Sequence, residues 1–267
     1  MKIVIDNNYG LCNKLWSVLN PVLWSIKNKK RSLFFSYDIN YKYFPELLLN
    51  RYLWFPLIYT GHYLGYRIAT RIHHKLKKIK KQNRFASSSI WYGWADIHNE
   101  ISDEDIKIIR RIFKPSKRIT LKIKKRFREE KSNHEIIIGV HIRRGDYATH
   151  ENGRYYYSIF EYKDIMKILR EKFKSKEVKF FIASNEIINP DDFSELNIFY
   201  FGESAIVDLY SLAECDYIIG PPSTFSMWAS LYGGKLQSFI MHKGQKHFNF
   251  HPLNKNISLE ELETIYG

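Results

Sequence analysis

The stretch Glu135-Ile136-Ile137-Ile138-Gly139-Val140-His141-Ile142-Arg143-Arg144-Gly145-Asp146-Tyr147 decides the fold. Up to Ile142 it is an almost unbroken apolar run rich in β-branched side chains, the pattern of a strand buried on both faces. The charges that follow therefore emerge at the strand's carboxyl end, the edge where open α/β sheets bind ligands. Arg143 and Arg144 are planar, permanently charged and able to hold two oxygens each, so together they suit a phosphate or diphosphate better than a lysine would. Taken alone, the cluster can also be read as an Arg–Asp pair, with Asp146, that ties a loop to the sheet.

Strand-like and helical runs alternate from this strand to residue 241. Strands are expected at Ile136–Ile142, Val178–Ala183, Ile198–Phe201, Tyr217–Ile219 and Phe239–Met241. Helices are expected at Tyr155–Phe173, Ile206–Ala213 and Phe225–Tyr232. Such alternation specifies a parallel sheet covered by helices on both faces. The first half is less regular: a strand at Lys2–Ile5, a helix from about Asn13 to Lys27, a strand at Leu33–Ser36 and a helix beginning at Ser102. Ser102-Asp103-Glu104-Asp105 before Ile106, Ile109 and Ile112 reads as a helix-capping box rather than a metal-binding Asp-x-Asp. The charge-dense segment Lys117–Asn133 is the expected connection between two domains, 1–132 and 133–267.

The 267 residues are 45% hydrophobic and 16% aromatic, ample for one large or two modest cores and inconsistent with disorder. Lysine and arginine number 42 against 28 acidic residues, a formal charge of +14. That excess favours an anionic partner: nucleic acid, an anionic membrane or a phosphorylated small molecule. Cys12 and Cys215 lie far apart and form neither a disulfide framework nor a CxxC metal site, which fits a reduced cytoplasmic setting. No export signal is expected at the N-terminus. The most apolar stretch, Tyr52–Ala69, is interrupted by Pro56, Gly61, His62, Gly65 and Arg67, so no spanning helix is expected. It runs into Arg71, Lys75, Lys77, Lys78, Lys80, Lys81 and Arg84, with Ile68, Ile72, Leu76 and Ile79 at helical spacing. That reads either as a helix lying on an anionic membrane surface or as an amphipathic helix packed on its own domain.

A second feature complements the arginines. Ser223-Thr224-Phe225-Ser226 opens a helix just after the strand Tyr217–Ile219, offering amides, the positive end of a helix dipole and hydroxyls to an anion. Ser223 and Thr224 also suit ordinary helix capping. A P-loop pattern, an acidic metal pair and zinc-type Cys/His spacing are all missing from the sequence, so no metal is expected.

His141-Ile142-Arg143-Arg144-Gly145-Asp146-Tyr147 resembles the first motif of the α-1,2-fucosyltransferases of glycosyltransferase family 11, more distantly related to α-1,6- and protein-O-fucosyltransferases. Further similar segments follow the family's order. They are Gly10-Leu11-Cys12-Asn13-Lys14-Leu15-Trp16, Trp91-Tyr92-Gly93-Trp94, Phe180-Phe181-Ile182-Ala183-Ser184-Asn185-Glu186, Asp208-Leu209-Tyr210-Ser211-Leu212-Ala213-Glu214-Cys215 and Ser223-Thr224-Phe225-Ser226-Met227-Trp228. Departures are Cys12 for glycine, Lys14 for glutamine, Asn185-Glu186 for an acidic pair, and Pro221-Pro222 ahead of Ser223-Thr224 where asparagine is usual.

The resemblance implies a GT-B-type α/β fold, two Rossmann-like domains facing a cleft, with the acceptor on the N-terminal side and the nucleotide-sugar on the C-terminal side. It implies an inverting, metal-independent transfer of L-fucose from GDP-fucose to a surface glycan, α-1,2 to galactose. The glycan could be lipid-linked and met by a peripheral enzyme at the inner face of the cell membrane. By the same resemblance Arg143 contacts the β-phosphate, His141 and Asp208 recognise guanine, Arg144 adds charge, and Ser223, Thr224 and Ser226 hold phosphate oxygens. An aspartate can accept from both N1–H and the exocyclic amino group of guanine, a pairing adenine cannot offer. Read without the family, Asp208 is equally a helix N-cap and His141 a satisfied buried histidine. Asp146 is the carboxylate best placed to act as base, although two adjacent guanidiniums make it a weak one. His150, Glu186 and Asp6 rank below it. The alternatives are a transferase using another GDP-sugar and, from another class, a nucleic-acid-binding protein using Lys75–Arg84 and Lys122–Arg128. No recognised nucleic-acid-binding pattern supports the latter, and no nucleic-acid partner is expected.

Overall fold

In a computed structural model of the chain the described residues are 1–5, 10–35, 39–55, 71, 75, 85–86, 90–92, 100–131 and 135–266. Most of the expected membrane-surface helix between Tyr52 and Arg84 lies outside them, as do Asp6 and Gly93-Trp94. Among the described residues no helix is long and apolar enough to cross a membrane. Two compact units are formed, Met1–Ser116 and Lys117–Gly267.

The first unit is built on a five-stranded sheet with strands β1 (Lys2–Ile5), β2 (Ser32–Phe35), β3 (Leu53–Trp54), β4 (Phe85–Ala86) and β5 (Ile90–Tyr92), in the order β3-β2-β1-β5-β4. All its pairings are parallel except β4 with β5. Helix α1 (Leu11–Lys27) joins β1 to β2, and Cys12 and Lys14 are buried on it. Helix α2 (Pro45–Leu49) precedes β3, and α3 (Asp103–Ile112) packs on α1 and α2. The expected capping box is present: Ser102 Oγ accepts from the Asp105 N–H and Asp105 accepts from the Ser102 N–H. Asp105 also binds Lys27 Nζ at 3.0 Å, and the serine and lysine bonds hold its carboxyl below the usual range despite the opposing effect of burial.

The second unit carries a six-stranded sheet: β6 (Glu135–Ile142), β7 (Glu177–Ser184), β8 (Ile198–Phe199), β9 (Tyr217–Gly220), β10 (Leu236–Phe239) and β11 (His251–Pro252). The order β11-β10-β9-β6-β7-β8 is parallel throughout except at β11. The helices are α4 (Lys117–Glu130), α5 (Ile159–Lys172), α6 (Ala205–Leu212), α7 (Thr224–Gly233) and α8 (Leu259–Tyr266). Side-chain alternation on β6 assigns its two faces. A Cβ on Gly139 would meet Leu212 and Cys215 at the end of α6, and His141, on the same face, stacks on Phe225 of α7 with ring centroids 5.0 Å apart.

Three differences from the sequence reading have physical causes. The division falls between Ser116 and Lys117 instead of at 132/133, because the expected connection is helix α4. Its Ile123 and Phe127 are buried, and the Phe127 ring lies 5.8 Å from Phe181 and 5.4 Å from Phe199. Aromatic ring pairs such as these, the second edge-to-face, add about 0.5–1.5 kcal/mol each beyond area burial and help dock a helix otherwise dense in lysine and arginine. The strand expected at Phe239–Met241 is Leu236–Phe239, because residue 237 pairs with both neighbouring strands. The antiparallel β11 and the helix α8 lie in a tail whose polar composition hid them.

At the centre, β6 and β9 approach so closely that a Cβ on Gly220 would lie 2.8 Å from the His141 carbonyl oxygen and 2.9 Å from its Cβ. Backbone cannot move aside cheaply, so Gly220→Ala should destabilise the chain by about 1–3 kcal/mol, read as a lower midpoint in urea unfolding. An unchanged midpoint would show that the two strands have slack here.

Candidate active site

Strand order reverses between β6 and β9: β7 and β8 lie on one side of β6, and the chain then returns to place β9 and β10 on the other. At such a point the loops leaving the two neighbouring strands diverge and leave a crevice at their carboxyl ends. The loop after β6 carries Arg143, Arg144 and Asp146, and the loop after β9 runs through Pro221-Pro222 into the first turn of α7. A buried bond ties the loops together, as the Tyr147 hydroxyl donates to the Pro222 carbonyl at 2.6 Å. The sheet therefore brings the two halves of the expected anion cradle to one place.

The arginines differ in freedom. Arg144 donates to the Tyr156 hydroxyl from Nε at 3.3 Å and from Nη2 at 2.7 Å, and its Nε lies 3.5 Å from Glu186 Oε2. The Tyr156 bond, backed by Glu186, raises its pKa further and fixes it as a cation. Arg143 donates from Nη2 to Asp146 Oδ2 at 2.7 Å, with its side chain 32% exposed and that of Asp146 60% exposed. An ion pair this open contributes about 0–1 kcal/mol, so an incoming anion can replace Asp146 at little cost. The Arg143 backbone N–H donates to the Tyr162 hydroxyl at 3.2 Å; burial keeps that phenol's pKa raised and the group neutral. Arg143 thus has a fixed main chain and an available guanidinium.

Beneath the loops lie two buried polar groups. His141 is 3% exposed and its Nδ1 has no hydrogen-bond partner among the described residues; burial, with Arg143 adding to it, lowers its pKa to about 3 and keeps the ring neutral. Asp208 is 8% exposed and its Oδ1 also lacks such a partner; burial, reinforced by Glu203, raises its pKa to about 7. Asp208 is not the helix cap it could have been, since α6 begins at Ala205 with Ser204 at the cap position. Following its strand, α6 starts at the carboxyl edge and runs back across the sheet. Its Leu212 covers Gly139. An unsatisfied buried polar atom costs about 1–3 kcal/mol. The one in His141 directly precedes the cationic loop, where a polar ligand could satisfy it.

The serines separate as well. Ser223 caps α7, its Oγ accepting from the Phe225 N–H at 3.2 Å, a role compatible with an anion at the same helix end. Thr224 is the first residue of α7 and is partly exposed. Ser226 is fully buried, donating to the Ser223 carbonyl at 3.2 Å and accepting from Gln237 Nε2 at 2.8 Å. Its hydroxyl faces β10, away from where the resemblance put it, because helical rotation turns the third residue of α7 inward. Of the lesser base candidates, Glu186 accepts from the Gly145 N–H at 3.0 Å, and His150 is exposed against the Tyr147 ring. Sequence reasoning missed the supports: Tyr156, Tyr162, Phe225 and Asn185. Among the described residues no group of three or more His, Cys, Asp or Glu side chains stands close enough to hold a metal ion.

The profile of Glycosyl transferase family 11 matches residues 106–262, more than half of the chain. No curated protein sequence matches it. Among solved structures the chain is similar to the fucosyltransferase NodZ from Bradyrhizobium, with TM-score 0.59 and 17% identity over 94% of this chain and 98% of that one. It is similar to Arabidopsis thaliana FUT1 in complex with GDP, with TM-score 0.56 and 13% identity over 93% of this chain and 74% of that one. POFUT1 in complex with GDP gives TM-score 0.54 and 11% identity over 86% of this chain and 94% of that one. At such identities the likeness is one of fold, and it is the α/β, GT-B-type class with Rossmann-like units that the sequence led us to expect. The family match, by contrast, rests on sequence and spans every loop described above: the chain belongs to glycosyltransferase family 11.

Proposed function

We propose that the chain transfers L-fucose from GDP-fucose to a hydroxyl of a surface glycan, α-1,2 to galactose, with inversion at the anomeric carbon and without a metal ion. One observation carries this reading. The cationic loop follows directly on His141, whose buried Nδ1 lacks a partner among the described residues, so a ligand with an anionic end and a polar planar end would satisfy both. The donor class is supported by NodZ soaked with GDP-fucose and by FUT1 and POFUT1 with GDP, which share the fold. NodZ is described as an α-1,6-fucosyltransferase, so the α-1,2 assignment rests on the motif around Arg143 and not on that likeness.

In this reading guanine donates from N1–H and its amino group to Asp208, with His141 Nδ1 beside it, and the β-phosphate lies between Arg143 and the start of α7 at Ser223 and Thr224. The acceptor oxygen attacks the sugar's anomeric carbon from the face opposite the phosphate. The bond from that carbon to the phosphate oxygen breaks, and its electron pair leaves on GDP. Arg143 and the first turn of α7 meet the charge that grows there. The acceptor's proton passes to Asp146, whose carboxylate is released when the diphosphate takes its place on Arg143. His141 is excluded as the base by its low pKa and burial.

Calorimetric titration tests the donor class. GDP and GDP-fucose should bind in the presence of EDTA, and ADP and UDP at least about tenfold more weakly. Equal affinity for UDP, or loss of binding or turnover on chelation, contradicts the reading. Arg143→Ala should lower turnover about 100-fold or more, ~2.7 kcal/mol of transition-state stabilisation, measured by GDP release. The pH dependence has a definite sign. Asp208 is raised to about 7 in the free protein, and guanine needs the ionised form, so binding expels a proton below that pH. Affinity for GDP-fucose, whose phosphates carry no proton that titrates near neutrality, should fall about tenfold per unit as pH drops below 7 and level off above it. In Asp208→Asn it should be weaker and flat across the same range. An unchanged pH profile in Asp208→Asn counts against the guanine contact.

A further inference from the structure

We infer that Asn185 is a positioning residue for the anion-binding loop, holding the main chain of Arg144 in both directions, which an ionised aspartate could not do; the inference rests on the donor reading above. The ladder between β6 and β7 runs from Glu135 opposite Glu177 to Ile142 opposite Ser184 and then stops. The next main-chain rung is replaced by a side chain. Asn185 Oδ1 accepts from the Arg144 N–H at 2.9 Å, and Asn185 Nδ2 donates to the Arg144 carbonyl at 3.2 Å. One side chain thus bonds both main-chain groups of one residue, as a neighbouring strand would, and shares the carbonyl with the Tyr147 N–H at 3.0 Å.

The turn that follows is built around the same amide. Gly145 has φ +54, a region side chains rarely adopt, and a Cβ there would lie 2.9 Å from Asn185 Nδ2. Its N–H donates to Glu186 Oε1 at 3.0 Å. Asn185 and Glu186 together grip successive residues of the loop that carries Arg143 on one side and Asp146 on the other.

Chemistry decides between the amide and the acid that the resemblance leads one to expect at this position. An ionised aspartate keeps the acceptor for the Arg144 N–H but has no donor for the Arg144 carbonyl. It would also place a third carboxylate beside Asp146 and Glu186, against the two guanidiniums, where it competes with the diphosphate. Asparagine keeps the grip and leaves the loop's positive charge for the ligand.

The test is titration of the whole chain and of Asn185→Asp and Asn185→Ala with GDP and with guanosine, alongside thermal unfolding. Both variants should bind GDP at least about tenfold more weakly while guanosine affinity stays within about twofold, because the loop serves the diphosphate alone. The deficit in Asn185→Asp should grow at low salt. A parallel loss of GDP and guanosine affinity, or a lower melting temperature with GDP affinity unchanged, would mean ordinary structural support and overturn the inference. If either variant does not fold, Glu186→Gln serves instead: its amide still accepts from Gly145 but no longer pairs with Arg144, and the same split between GDP and guanosine is expected. Wild-type chain that binds GDP, with variants that bind it equally well, sinks the positioning role alone. Wild-type chain that binds neither compound sinks the donor reading along with it.

Discussion

The return of the chain to lay β9 beside β6 is the constraint on which the site depends. Had β9 continued outward past β8, the loop bearing Arg143 would face no second loop and α7 would start far from it. Because the order reverses there, two loops leave adjacent parallel strands in opposite senses. The Tyr147 bond to Pro222 fixes their separation, and the tight approach of Gly220 to His141 fixes the strands below. The crevice is thus a consequence of topology, and the sequence has only to furnish its walls.

Those walls are arranged by charge and by solvation. Cations sit where exposure lets a ligand displace a weakly held carboxylate; Arg143 and Asp146 are the example. Polar atoms without partners are buried, where desolvation, helped by Glu203 and by Arg143, moves Asp208 up and His141 down in pKa. A ligand that reaches such groups restores the hydrogen bonds they lost on burial. The aromatic packing of α4 on β7 and β8 supplies part of the stability of the same sheet.

Much of this was legible in the sequence because the second unit is periodic. Buried parallel strands announce themselves as apolar runs, and the loops at their ends follow without calculation, so the loops bearing Arg143 and Ser223 could be expected at one sheet edge, while Asp208 came from the motif resemblance. What periodicity cannot show is which residue turns which way after a helix begins: the Ser226 hydroxyl is taken up by the Ser223 carbonyl and Gln237. Nor can it show a side chain that does a backbone's work; Asn185 looked like a departure from a motif, yet its amide caps a β ladder. Helix α4 was concealed by its own charge, although Ile119, Ile123 and Phe127 recur at helical spacing within it. Its basic residues dominate the composition and outnumber the apolar positions that mark the helix.

The central claim is that a guanine nucleotide lies at the carboxyl edge of β6 and β9. A crystal structure of the chain with GDP tests it most directly. The account predicts the base against Asp208 and His141, with the β-phosphate between the Arg143 guanidinium and the first turn of α7. A nucleotide found elsewhere on the molecule, or one at this edge that leaves Asp208 Oδ1 and His141 Nδ1 untouched, would contradict it.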